Sequence, residues 1–193
     1  MTRNEAFEIL TKFVKSENLI RHHLACEAAM RGIYQWIQKN KKFPINPKDE
    51  EMWAITGLLH DADYELSKQH PEKHTLILEK KIGKKLDPGI MNAIKYHNFK
   101  YTKAKAKSLM DLAIYACDEL TGLIAASALI HPDKKLSSVD VGFVLNRFNE
   151  PNFAKGADRE QIKTCEQNLG ISLADFISIV LSSMQKISTP LGL

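Results

Sequence analysis

The chain predicts an all-α fold of about nine helices, and three observations carry that expectation. Apolar residues recur at steps of three and four over most of the length. Helix-start signals (Asn or Asp before Pro) and helix-stop signals (Gly just past an apolar run) bracket those periodic stretches. No clear β-hairpin signal, internal repeat or low-complexity linker interrupts the pattern. A length of 193 residues suits a single domain, 1–193, with ample material for a core.

Thr2-Arg3-Asn4-Glu5 has capping-box spacing and opens a short helix to about Val14; Ser16-Glu17-Asn18 breaks it. A long helix is expected from about Leu19 to Lys39, its stripe formed by Leu19, Cys26, Met30, Ile33 and Ile37. His22 and His23 both fall between Leu19 and Cys26 on that stripe. Periodicity does not choose between them, and either also reads as a core histidine. Lys39 to Pro47 is a polar loop containing Pro44, and Asn46-Pro47 starts the helix that carries Trp53 and His60. His70-Pro71 starts a helix to Ile82, stopped by Gly83, with His74 in its first turn. Asp87-Pro88 caps the next, which carries Ile90, Met91, Ile94 and His97. The helix from Ser108 to about Leu129 is apolar on nearly all sides and should be central. His131-Pro132-Asp133 ends it, and His131 reads as a surface residue. Ser137 or Ser138 caps a helix to about Phe148. Asn149 to Gly156 is a loop, Asp158 opens a helix closed by Gly170, and Ser172 to Lys186 is the last helix.

Composition narrows the function classes. A hydrophobic share of 44% and a charged share of 26% are ordinary globular values. A net charge of +4 does not by itself imply nucleic acid. The lysine-rich connector Lys100 to Lys107 reads as solvated, with a phosphate-attracting rim as the lesser alternative. Basic residues are spread through connectors without an aromatic stacking pattern, so a nucleic-acid partner is not expected. Arg3, Glu5 and Glu8 occupy the place where a signal peptide needs an apolar run. Asp111, Asp118 and Glu119 interrupt the most apolar region, so no membrane span is expected. Cys26, Cys117 and Cys165 form no CxxC pair and read as buried structural thiols of a cytoplasmic protein.

The chemistry concentrates at Leu58-Leu59-His60-Asp61-Ala62-Asp63-Tyr64, where an apolar helical run ends in an imidazole and a carboxylate side by side. Neutral imidazole and carboxylate suit divalent metals. Asp118 lies in the middle of the central helix, and a buried carboxylate costs several kcal/mol unless a cation or hydrogen bonds compensate it. His22 or His23, His60-Asp61, His74, His97 and Asp118 thus come from five helices, as ligands do in metal sites built in bundle cores.

That order of residues, with Asn18-Leu19-Ile20-Arg21-His22, Leu58-Leu59-His60-Asp61 and Ala116-Cys117-Asp118-Glu119-Leu120-Thr121-Gly122, resembles the HD-domain superfamily of metal-dependent phosphohydrolases. The resemblance runs from the first helix to about Ile187 and looks most like a branch of HD hydrolases of unassigned substrate. It implies that His22, rather than His23, joins His60, Asp61 and Asp118 around one metal. It also implies that His74 and His97 hold a second metal, with Asp61 between the ions and His70 a rival to His74. The ions implied are iron, manganese, zinc, cobalt, nickel or magnesium. The catalytic residues would be His60, Asp61 and Asp63. Asp63 departs from the family, since Ala62-Asp63-Tyr64 stands where many members have an apolar residue, Gly and Lys. It reads either as a residue that orients water or a ligand, or as a surface acid at a helix end. Arg21, Lys95, Lys155 and Arg159 are candidates to hold substrate phosphate.

The leading expectation is hydrolysis of a small phosphate ester or nucleotide phosphate by metal-activated water. The alternatives are a di-iron oxygenase of the same fold and a metal-stabilised regulatory or binding module. The expected partner is a small phosphorylated molecule. Neither substrate nor oligomeric state is legible.

Overall fold

The computed structural model describes residues 1–41 and 46–193, so the loop expected around Pro44 lies outside the described residues. Those residues form twelve α-helices and no strand: α1 (Arg3–Phe13), α2 (Glu17–Lys41), α3 (Pro47–Leu59), α4 (Tyr64–Ser67), α5 (Leu76–Ile82), α6 (Pro88–His97), α7 (Phe99–Thr102), α8 (Leu109–Ile130), α9 (Val141–Phe148), α10 (Arg159–Leu169), α11 (Leu173–Gln185) and α12 (Ser188–Leu191). Nine of them have seven or more residues. The all-α expectation and its helix number hold.

Local capping explains most starts. Thr2 and Glu5 form the reciprocal box that opens α1, and Ser108 with Asp111 forms another at α8. Asn46 and Asp87 accept backbone N–H groups just ahead of the prolines that begin α3 and α6. Gly170 takes φ +68° after α10, the left-handed backbone that satisfies the last carbonyls of the helix.

Three local expectations need correction. The helix expected from Pro71 to Ile82 is broken. A single 3₁₀ turn covers Pro71–Lys73, Thr75 takes φ +70°, and α5 begins only at Leu76. Gly83 directly follows the end of α5, as expected, and at φ −53° leads into a second 3₁₀ turn. Asp140, not Ser137 or Ser138, caps α9, accepting from the Phe143 N–H, while the two serines lie in a 3₁₀ turn. The lysine-rich connector begins inside the short helix α7.

Helix α8 is the axis of the bundle and packs against α10, α2, α6 and α9. By length and hydropathy it is able to cross a bilayer, a property that the reading of Asp111, Asp118 and Glu119 discounted. Here its apolar surface is used inside the protein: Ile114, Leu120, Leu123 and Ile124 are fully buried. Helix α2 lies across α3 at very close range. A Cβ added at Gly57 would sit 2.4 Å from the Cys26 carbonyl oxygen, so only glycine admits this crossing. The crossing brings the His22–Cys26 turn of α2 beside the last turn of α3.

Candidate metal centre

Two groups of donors meet at the centre of the bundle. The first is His22 and Cys26 from α2, His60 at the end of α3, and Asp118 from α8. The second is Asp61, just past α3, with His74 between the 3₁₀ turn and α5, and His97, the last residue of α6. In the first group His22 Nε2 lies 3.1 Å from Asp118 Oδ1 and 3.3 Å from His60 Nε2, and His60 Nε2 lies 3.3 Å from Asp118 Oδ1. In the second, His74 Nε2 and His97 Nε2 are 3.0 Å apart, and each is 3.0 Å from Asp61 Oδ1. The groups adjoin, with His60 Nε2 3.9 Å from Asp61 Oδ1.

The backbone and a buried acid orient the rings. His60 Nδ1–H donates to the Gly57 carbonyl at 2.9 Å, and His97 Nδ1–H donates to the Ile94 carbonyl. His74 Nδ1–H donates to Asp63 Oδ1 at 2.8 Å. With Nδ1 protonated in each neutral ring, Nε2 is the atom that carries the lone pair. Lone pairs of His60, His74 and His97 therefore converge on one another and on two carboxylates. Such an array is repulsive until a cation enters it, and an outer acceptor on the far ring nitrogen is the usual support of a metal-bound histidine.

The spacing fits divalent ions. Donors about 2.0 Å from a tetrahedral ion are about 3.3 Å apart, and donors about 2.1 Å from an octahedral ion are about 3.0 Å apart. The first group, with edges of 3.1–3.3 Å, matches the former; the second, with edges of 3.0 Å, matches the latter. Cys26 Sγ, 3.8 Å from His22 Nε2, is the soft fourth member of the first group. Thr121 Oγ1 touches both Cys26 Sγ and His22 Nδ1 at 3.3 Å and fixes their relative placement.

The electrostatics concentrate positive charge. Burial opposes a charged His60, yet Asp61, Cys26 and Asp118 outweigh it and push the ring up to about 10. Burial likewise opposes charge on His74, but hydrogen bonds to Asp61 and Asp63 raise it to about 9. Burial works against ionised Asp61 and Asp118, but His60 and the neighbouring imidazoles hold both well below the usual carboxylate range. Protons and metal ions compete here for the same lone pairs. Beside the site, burial and then Asp118 raise Glu119 to about 7.

The remaining expected residues take other places. Asp63 is fully buried, and beyond His74 it accepts the backbone N–H groups of Thr75 at 3.0 Å and Leu78 at 2.8 Å. It therefore acts through His74 and caps α5 from a distance. His23 is fully buried beside His60, ring centroids 5.3 Å apart, and stands outside both donor groups. His70 is exposed and pairs with Glu72, while His131 packs on Phe143 and is only partly exposed. Arg159 donates to the carbonyls of Phe148, Phe153, Ala154 and Ala157, which closes the loop and leaves its guanidinium occupied. Lys95 pairs with Glu79 at 2.9 Å, Arg21 lies against Glu17, and Lys155 borders a separate hollow with Lys163.

Above the donors opens a cavity of about 590 Å³, walled by Tyr64, Asn98, Lys100, Tyr115, Glu119 and Gln161 among others. Lys100 and Glu119 are a cation and an acid on this wall that the sequence alone does not single out, beyond the lysine-rich connector as a possible rim. Cys26 was assigned to the core; its spacing of four from His22 is the signal that it shares a helix face with a ligand. Comparison of the chain with protein-family models, with curated proteins and with solved structures gave no match, so the arrangement stands on its own geometry: an all-helical bundle whose His, Cys and Asp groups can bind metal.

Proposed function

We propose that the chain is a metal-dependent phosphohydrolase of the HD type, one domain over 1–193, that releases phosphate from a small phosphate ester or nucleotide phosphate. The observation that carries this reading is the pair of adjoining donor triangles, their lone pairs pre-aimed by Gly57, Asp63 and Ile94, at the floor of an open cavity. His22, Cys26, His60 and Asp118 would hold one ion, and Asp61, His74 and His97 the other. Two such ions supply Lewis-acid charge and an activated water at neutral pH.

The chain's own residues do the rest. Lys100, exposed on the cavity wall, draws the anionic substrate inward and neutralises part of its charge. Glu119, on the same wall one residue past Asp118, is placed to give the leaving alcohol its proton. Asp63 keeps His74 in one tautomer and one orientation. The buried free thiols Cys117 and Cys165 suit a reducing compartment.

The test is elemental analysis of protein purified without chelators, beside His74→Ala and His97→Ala, with a screen of phosphorylated metabolites under anaerobic conditions. Two ions per chain falling to one in each variant, with inorganic phosphate released without oxygen, is the expected result. One ion in all three proteins removes the second site. Turnover that requires dioxygen replaces the hydrolase with an oxygenase.

A further inference from the structure

A second cavity, of about 400 Å³, lies on the other side of His22 and Gly122, which line both cavities. Its wall on α8 is Thr121, Gly122, Ala125, Ala126 and Leu129, closed opposite by Met184 and Leu191. Polar groups stand at Asn18 and Arg21. The volume falls in the range of small-molecule sites, and the lining is mainly aliphatic.

Gly122 is the connection. It is exposed in the middle of a 22-residue helix, where glycine is less favourable than alanine. A Cβ built on it meets nothing within 4 Å, so no packing contact requires its absence. Gly122 lines both cavities, so a side chain there would stand at the border they share.

Resting on the phosphohydrolase reading, we propose that the substrate spans both cavities: its phosphate lies over the metal donors, and an aliphatic group crosses Gly122 into the second chamber. The class is a phosphate monoester of an aliphatic alcohol. No Phe, Tyr or Trp lines the second chamber among the described residues, and its one ring, His22, belongs to the first donor group, so a nucleobase would find no free ring to stack on. The side-chain hydroxyl of Thr121, which could have bonded such a base, already donates to the Asp118 carbonyl at 2.8 Å. The lining shared with the metal cavity, His22 and Gly122, selects the organic half of the same molecule as occupant, rather than a separate ligand.

The experiment measures calorimetric binding of methyl-, butyl-, hexyl- and octylphosphonate to the metal-loaded full chain, which needs no turnover. Affinity should rise about fourfold per added methylene until the chamber is filled. Gly122→Leu, which restores a good helix former, should flatten that rise. Ala126→Phe, deeper in the chamber, should stop it at a shorter chain. Flat affinity in the wild type, or the same rise in all three proteins, overturns the proposal. Parallel assays of the matching alkyl phosphates separate the two readings. Chain-length-dependent binding without phosphate release removes the hydrolase and keeps the chamber. Release with chain-length-independent binding does the reverse.

Discussion

His22, Cys26, His60 and Asp118 are placed by three long helices, whereas Asp61, His74 and His97 stand where helices stop. In the first group the register of α2 and α8 and the close crossing at Gly57 do the positioning; His60 is pinned by the Gly57 carbonyl, but the far nitrogen of His22 meets Thr121 at 3.3 Å and Cys26 rather than a carbonyl or carboxylate. In the second group each imidazole is pinned through its far nitrogen, by Asp63 or by the Ile94 carbonyl. The edges differ accordingly, 3.1–3.3 Å against 3.0 Å. Helix packing builds a donor group that includes a thiol and has the spacing of four-coordination. Pinned side chains at helix ends build one with nitrogen and oxygen donors only, open to a cavity and suited to six. The two ions should therefore differ in type and in tenacity.

Asp61→Ala is the strongest way to break this contrast, because Asp61 faces both groups at 3.0 Å and 3.9 Å. Phosphate release should fall about 10²- to 10³-fold, the scale for loss of a charge-stabilising group in a transition state. At least one ion per chain should leave, read by elemental analysis; full occupancy in this variant would mean that Asp61 is no ligand.

Asp63→Asn should sharpen it. The affinity of the second group should drop about 10- to 100-fold, as when a metal ligand loses its outer partner, while the first group keeps its ion. Titration of chelated protein resolves the two steps. Equal loss from both groups would show that the sites are not separately supported. Asp63→Ala adds a structural penalty, since the buried N–H groups of Thr75 and Leu78 lose their acceptor at about 1–3 kcal/mol each.

Cys26→Ser has the smallest effect. It should leave the number of ions unchanged and shift the first group a few-fold away from zinc and toward manganese, because the soft donor is replaced by a hard one. Competition titration checks it, and an unchanged preference would return Cys26 to the role of a packing residue.

Much of the fold was legible wherever the deciding bond is local. Thr2 with Glu5, Asn46 before Pro47 and Asp158 before α10 each lie within four residues of the groups they satisfy. The break before α5 was not legible, because Asp63 imposes it from twelve residues upstream through the Thr75 N–H. Two serines outrank nothing when Asp140 is better aligned with the Phe143 N–H, so the start of α9 was displaced. Histidines and acids on apolar helices stood out because a water-free setting makes a lone polar group costly. Cys26 is apolar enough to hide in that same setting. Lys100 and Glu119 became cavity residues only through the way α7, α8 and α10 are juxtaposed, and Arg159 was drawn off by carbonyls that no spacing rule announces.

Thr75 carries one more consequence. A β-branched residue in the left-handed region is strained by about 1–2 kcal/mol, and its hydroxyl is buried without a partner among the described residues. The residue next to it is His74, so the strain sits on the backbone of the second donor group. Two bonds to Asp63 hold this corner shut, and an ion on His74 would add a third tie. The amides around Thr75 should therefore exchange with solvent deuterium through brief local openings, well before the core of α8 does. Loading the metal should lengthen the closed lifetime of this corner selectively, making it a clock for occupancy of the second group.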